Sequence, residues 1–293
     1  MISYKMLFKL FVLISISCIG GCATSTHYNS SVVQYLYPDQ SEPIQASKIP
    51  MLSLPLKVGI AFVPETTSDR KHYGTIFYGP ALFSGSSSLT EKDKMSLMQE
   101  VSEHFKKYEF VKSIELIPSA YLRPKGSFSN LDQLRTMFGL DVIALISFDQ
   151  SQFVDEGFSS ISYWTLIGAY LVKGEKNDTH TMLDAAVYHI LGRKMMFRAP
   201  GVSQIKSKAT PVNLTEQARL DSLAGFKEAS KDLMANLDAQ LQLFKEKVKE
   251  SPQDFKIAHK PGYTGGGKLD AIFLILVLVI GGLRLWTLKK SDA

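Results

Sequence analysis

Cysteine is nearly absent from this 293-residue chain: Cys18 and Cys22 are its only two, and none follows them. Beyond residue 22 there is no disulfide, no thiolate metal site and no cysteine nucleophile. Histidine is sparse and scattered, at His27, His72, His104, His180, His189 and His259. No pair has the H-x-x-x-H or H-x-H spacing of a metal site, so no metal and no other cofactor is expected. Walker and Rossmann phosphate loops are missing as well. The triplet Gly265, Gly266 and Gly267 is not one, because no strand precedes it and an apolar run follows. There is no internal repeat and no low-complexity tract. The net charge of +5 is no sign of nucleic-acid binding. Lys5 and Lys9 supply two of those charges, residues 268–293 supply a net two more, and one is left for the body.

What the chain does have is a membrane address at each end. Lys5 and Lys9 form a positive start, residues 10–16 an apolar core, and Ile19, Gly20, Gly21 and Cys22 a small-residue finish. This is the plan of a secretory signal. Small residues before a cysteine suit a lipoprotein signal peptidase, which needs close access to the backbone. The four residues resemble the bacterial lipobox, with Ile19 where leucine is commoner. That resemblance implies that residues 1–21 are removed and that Cys22 carries a diacylglycerol thioether. Acyl chains bind membranes by burying methylenes, at about 0.8 kcal/mol each. Ala23 follows the cysteine, so the aspartate associated with inner-membrane retention is not there and sorting to the outer membrane is open. Residues 22–54 are polar and carry Pro38, Pro43 and Pro50. They read as a tether, with residues 32–37 a short segment that docks.

Residues 55–250 read as a folded α/β domain. An apolar run over 56–63 predicts a strand, stopped by Pro64. Residues 65–89 are rich in Gly, Ser and Tyr and read as a long loop. Thr90 with Asp93 predicts a helix start, and Met95, Met98, Val101, Phe105 and Tyr108 give that helix one apolar face. Residues 111–117 predict a strand. Asn130 is expected to cap a second helix carrying Leu131, Leu134, Met137 and Phe138, with Gly139 as its stop. Residues 142–148 predict a strand covered on both faces. Two more strands are expected, over 162–172 and 182–197, joined by the polar turn 173–178, with Gly192 bending the second. A long amphipathic helix over 215–249 completes the domain. The expected fold is α+β or α/β, a mixed sheet with helices packed on it. Its order resembles, in topology alone, the α/β periplasmic domains of curli-channel and penicillin-binding-protein-activator lipoproteins.

Candidate catalytic groups are few. The run Ser84, Gly85, Ser86, Ser87 and Ser88 lacks the strand and helix that a nucleophile elbow needs, and reads as a flexible loop with Ser88 or Thr90 capping the helix. Asp149, and Asp155 with Glu156 after it, read as turn formers at a strand end, with an acid–base role as the alternative. His104 reads as a helix-surface or satisfied interior residue. Residues 161–172, with Tyr163, Trp164 and Tyr170, read as a core strand, or else as a membrane-touching hairpin or partner surface.

The carboxyl end is more specific. Residues 251–267 read as a linker with a glycine-rich neck, and residues 268–293 as a transmembrane tail. The uncharged run 271–283 is about 20 Å long as a helix, against a hydrocarbon core of about 30 Å. It spans only with help from residues 285–288 and from a snorkelling Arg284. The basic cluster Arg284, Lys289 and Lys290 would stay cytoplasmic, leaving the body in the periplasm. Glycine lowers the cost of unwinding a helix start by about 1 kcal/mol per residue. Gly-Gly-Gly, an apolar helix and a basic end resemble the GlyGly-CTERM sorting signal, the substrate of rhombosortase, a rhomboid-family intramembrane serine protease. Together with the lipobox, this tail resembles the rhombotarget lipoprotein family. The resemblance implies cleavage near Gly265, Gly266 and Gly267.

The expectation is thus a Gram-negative envelope lipoprotein that is not an enzyme and has a binding or assembly role. It would be held in the inner membrane until its tail is removed, and at the outer membrane or cell surface afterwards. Its expected partners are membrane lipid through Cys22, the two proteases and an envelope protein. Two alternatives are a periplasmic hydrolase using the loop 65–89 with Asp149, and a component of an oligomeric export pore using the hairpin 161–197.

Overall fold

In the computed structural model, residues 24–38, 49–65, 89–156, 175–210, 213–251, 253–261 and 263 are described. In chain order they form β1 (Thr24–Asn29), α1 (Val32–Leu36), β2 (Met51–Leu54), β3 (Leu56–Phe62), α2 (Glu91–Phe105), β4 (Val111–Ile117), α3 (Ser127–Phe138), β5 (Val142–Glu156), β6 (Glu175–His189), β7 (Lys194–Ala209), α4 (Leu214–Glu250) and β8 (Lys256–His259). The fold is α+β with a mixed sheet. Its order is β4-β3-β5-β6-β7, and β1 also pairs with β5. β3 runs parallel to β4 and to the first part of β5, whereas β5, β6 and β7 are antiparallel. β3 pairs with β5 through Ile146, and β1 takes up the same edge from Asp149 to Val154. β2 and β8 make a separate parallel pair.

Elements with strong local chemistry form as expected. Thr90 and Asp93 make a reciprocal capping box: the Asp93 N–H donates to the Thr90 hydroxyl at 3.2 Å, and the Thr90 N–H donates to the Asp93 carboxylate at 3.3 Å. Such a cap is worth about 1 kcal/mol. Gly139 ends α3 in the left-handed region, at φ 68°. The helix expected over 215–249 is α4, longer by one residue at each end.

Other expectations need correction. Asn130 does not cap α3. It lies inside the helix, which starts at Ser127 with Gly126 before it, and it is buried. The polar residues Lys176, Asn177 and Asp178 are not a turn. They belong to β6 and pair with β5 on one side and β7 on the other. The strand expected over 182–197 is instead the end of β6, a turn at 190–193 and the start of β7. Gly192 therefore lies in that turn and bends no strand. β5 continues to Glu156, so Asp149 stands mid-strand and Asp155 and Glu156 are also in the strand. Residues 32–37 dock as expected, forming α1 with Val32, Tyr35 and Leu36 in the core, but the rest of the stretch read as a tether also supplies β1 and β2, and the stretch read as a linker supplies β8.

Helices cover both faces of the sheet. On one face α1 and α3 pack Tyr35, Leu36, Leu131 and Leu134 against Ala61, Ile143, Leu145 and Tyr188. On the other, α2 and α4 pack Met98, Val101, Phe226 and Leu233 against Ile60, Phe62, Phe148 and Leu183. Each large apolar side chain buried this way contributes about 1.5–3 kcal/mol. Toward the start of α4 the same interface turns polar. Gln150 donates to the Thr181 hydroxyl at 2.7 Å and accepts from the Ser222 hydroxyl at 2.6 Å. Gln152 donates to the Ala218 carbonyl at 2.8 Å, and buried Asp221 accepts from Gln217 at 2.8 Å, from Asn177 and from Ser207.

The turn between β6 and β7 rests on His189, which is buried and accepts from the Gly192 N–H at Nδ1, 3.0 Å away. Burial pushes the imidazole below its ordinary value, and Arg135 adds to this. The Asp141 charge and a hydrogen bond with the Met51 backbone oppose the shift without cancelling it. The unfolded chain therefore binds the proton more readily than the folded one, and folding stability falls as the pH drops below about 6.5. Urea unfolding at pH 7.5 and pH 5 should show a larger loss for the wild type than for His189→Gln. Equal losses would remove His189 as the cause.

Candidate functional site

At the β2–β8 end of the sheet face under α2 and α4, Leu52, Leu56, Val142, Phe244, Val248 and Phe255 form a smaller apolar cluster of their own. A half-open pocket of about 310 Å³ lies there, with an almost wholly apolar lining that includes Leu56, Val58, Phe110, Val142, Leu241 and Phe244. The geometry of three elements makes it. α4 continues past Leu237 with Leu241, Phe244 and Val248 facing the sheet, α2 ends at Phe105, and the β2–β8 pair borders the end through Leu52, Leu54 and Ile257. Phe105, Tyr108 and Phe110 stack in sequence beside it, with ring centroids 5.8 and 5.3 Å apart.

The mouth is basic. Lys245 and Lys249 line it with half-exposed Ile257. The Lys245 ammonium lies over the Tyr108 and Phe110 rings, 5.2 and 5.1 Å from their centroids. Beside it, the Tyr108 hydroxyl donates to Asp238 at 2.7 Å, and His104 contacts the other oxygen of that carboxylate at 2.7 Å. The hydrogen bond to Asp238, then burial, then the carboxylate charge push Tyr108 up to about 12. Burial acts to raise Asp238. The hydrogen bonds from Tyr108 and His104 and the charges of His104 and Lys107 outweigh it and hold the carboxyl below the usual range. His104 is thus an anchor between α2 and α4, in keeping with its reading as a satisfied residue.

A second feature is the sheet face that α1 and α3 leave uncovered. A shallow groove of about 510 Å³ there is lined by Ser31, Gln34, Asp149, Met182, Asp184 and Arg198. Asp149 pairs with His27 at 2.8 Å, Asp178 with His180 at 3.2 Å, and Asp184 with Arg198 at 2.6 Å. Phe153, Met182 and Val202 are exposed among them. An imidazole held by a carboxylate is the orienting part of a nucleophile-activating set. No hydroxyl among the described residues hydrogen-bonds the His27 ring.

The loop 65–89 and Asp149, the pair on which a hydrolase would rest, come together only in part. Glu65, the first residue of that loop, bridges to Ser30, whose N–H donates to the Phe148 carbonyl at 2.7 Å, one residue before Asp149. The loop serines, Ser84 and Ser86 to Ser88, lie outside the described residues. So do Ile19, Gly20, Gly21 and Cys22, the glycines Gly265, Gly266 and Gly267, the basic cluster Arg284, Lys289 and Lys290, and residues 161–172. Among the described residues no group of three or more His, Cys, Asp or Glu is placed to hold a metal, and no helix is long and apolar enough to cross a membrane. No family model matches the chain, and no curated protein matches it.

Sequence reasoning misses the cavity and His27. The lining residues Phe105, Leu237, Leu241, Phe244 and Val248 are visible as helix faces, but a gap between faces has no residue of its own. The one local signal is the pairing of lysine with buried apolar positions at 244–249.

Proposed function

We propose that this chain is a bacterial envelope lipoprotein, anchored through Cys22 and handled by a rhomboid-type sorting protease at its tail, whose α+β body binds rather than catalyses. The observation that supports it is the start of β1. Only Ala23 separates Cys22 from Thr24, and Thr24 already pairs with Val154 of β5. A lipid on Cys22 would hold this end of the sheet against the bilayer with almost no slack, since two residues span about 7 Å at full extension. The connection from β5 to β6 leaves from the same end, where Glu156 pairs with Glu175. Its residues 157–172 carry no charge and include Tyr163, Trp164 and Tyr170, types that favour the membrane interface. In this reading the open sheet face with His27 and Asp149 is turned toward an envelope partner.

In cells that contain the sorting protease, wild-type protein is expected in the membrane fraction after a high-salt wash. A variant in which residues 1–22 are replaced by an ordinary, non-lipoprotein secretory leader is expected in the soluble periplasmic fraction, because it loses the lasting anchor once the tail is cut. If that variant stays with the membranes although its intact mass shows leader and tail removed, the reading of Cys22 as the anchor is wrong.

A further inference from the structure

We infer that the cavity between the sheet, α2 and α4 is a binding site for one long-chain fatty acid, with the chain in the cavity and the carboxylate at Lys245 and Lys249. Such a site does not depend on whether Cys22 is lipidated.

The pocket is half open to solvent, and its volume of about 310 Å³ falls at the lower end of the range for small-molecule sites. Its lining is almost wholly apolar, so a ligand with an apolar body that displaces water from it is favoured. The occupant therefore has an apolar body. Its volume admits one acyl chain and not the pair carried by a phospholipid.

The mouth selects the head group. Among the described residues no carboxylate lies within ion-pair distance of Lys245 or Lys249, whereas His104 is matched with Asp238 and Lys194 with Asp254. Lys245 is held in place over Tyr108 and Phe110. Lys249 is exposed one turn further along α4. Two cations one turn apart at the lip of an apolar cavity complement a ligand with an apolar chain and one anionic end.

The test uses the purified full chain in phosphatidylcholine nanodiscs and a palmitate bearing a diazirine on its chain. After illumination, peptide mass spectrometry is expected to find adducts on peptides containing Val58, Phe110 or Leu241. Unlabelled palmitate should displace the probe about tenfold better than hexadecanol, the preference that two partly exposed ion pairs would give. Lys245→Gln with Lys249→Gln should abolish that preference and leave hexadecanol binding unchanged. Leu241→Trp fills the cavity and should abolish labelling while the protein still melts cooperatively; if it fails to fold, Ala144→Leu serves the same purpose. Adducts only on residues outside the cavity, labelling that palmitate does not displace, or an acid preference that survives loss of both lysines would each overturn the inference. So would labelling that appears only when residues 264–293 are deleted, which would make the chain's own tail the occupant.

Discussion

Gly201→Ala is expected to lower folding stability by about 3 kcal/mol, at the upper end of what overpacking costs. Gly201 lies in β7 where α4 crosses the sheet at its closest. A Cβ there would stand 2.2 Å from the Ala229 carbonyl oxygen, 2.6 Å from the Leu233 N and 2.6 Å from the Leu233 Cβ. These are parts of the helix near its backbone, and no side-chain rotation relieves them. The helix itself would have to lift, and Phe226, Leu233 and Leu237 would lift with it. The hydrogen bond from the Val202 N–H to Asp232, 2.9 Å, would break too. Gly139→Ala is the informative contrast. Its backbone is left-handed, but the nearest atom to an added Cβ is the Lys57 Nζ at 3.5 Å. It should cost only about 1 kcal/mol, the conformational penalty alone. Urea unfolding of the two variants beside the wild type makes the comparison. Equal losses would mean that the close approach of α4 and β7 carries no weight.

Asn130→Leu is expected to cost about 3 kcal/mol although leucine is the better helix former. The Asn130 carbonyl oxygen accepts from the Tyr35 hydroxyl and from the Arg123 N–H, both at 2.9 Å, and its amide donates to the Tyr121 carbonyl at 3.2 Å. Asn130 therefore ties three segments together: α1, the turn before α3, and α3 itself. Leucine would leave a buried hydroxyl and a backbone N–H without a partner, at about 1–3 kcal/mol each. Tyr35→Phe removes one donor and leaves the asparagine its other partners, so its cost should be nearer 1 kcal/mol. In the double variant the Tyr35→Phe change should add less than it does alone, because its partner is already gone. Additive losses, or an Asn130→Leu protein as stable as wild type, would contradict this role for the residue.

These two residues show which parts of the fold are legible in the sequence. Gly139 can be placed because a helix stop has a local chemistry, and so can the box of Thr90 and Asp93. Gly201 cannot, since its reason is a helix that arrives from elsewhere in the chain. Asn130 carries a helix-cap signal, but its partners are Tyr35 and Arg123, and only the tertiary fold brings Tyr35 to it. β3, β4 and α4 are recovered because their apolar patterns are strong. β6 and β7 are misplaced because their inward residues near the start of α4 are polar. Gln150, Gln152, Asn177, Thr179 and Thr181 are buried in hydrogen bonds with each other and with α4. A reading that puts polar residues outside turns such a strand into a loop. β1 is hidden because Thr24–Asn29 is a polar stretch whose pairing partner, β5, is distant in the chain. The site is legible only at its edges: the basic positions 245 and 249 stand out on α4, but the space they guard does not.

In the proposed function this body is held at the membrane by a lipid on Cys22 and freed from its tail by proteolysis near Gly265, Gly266 and Gly267. The intact mass of the mature protein purified from its native host tests both events at once. The expected species begins at an acylated Cys22 and ends within or just after the glycine triplet. A mass that still contains residues 268–293, or an unmodified cysteine, would contradict it.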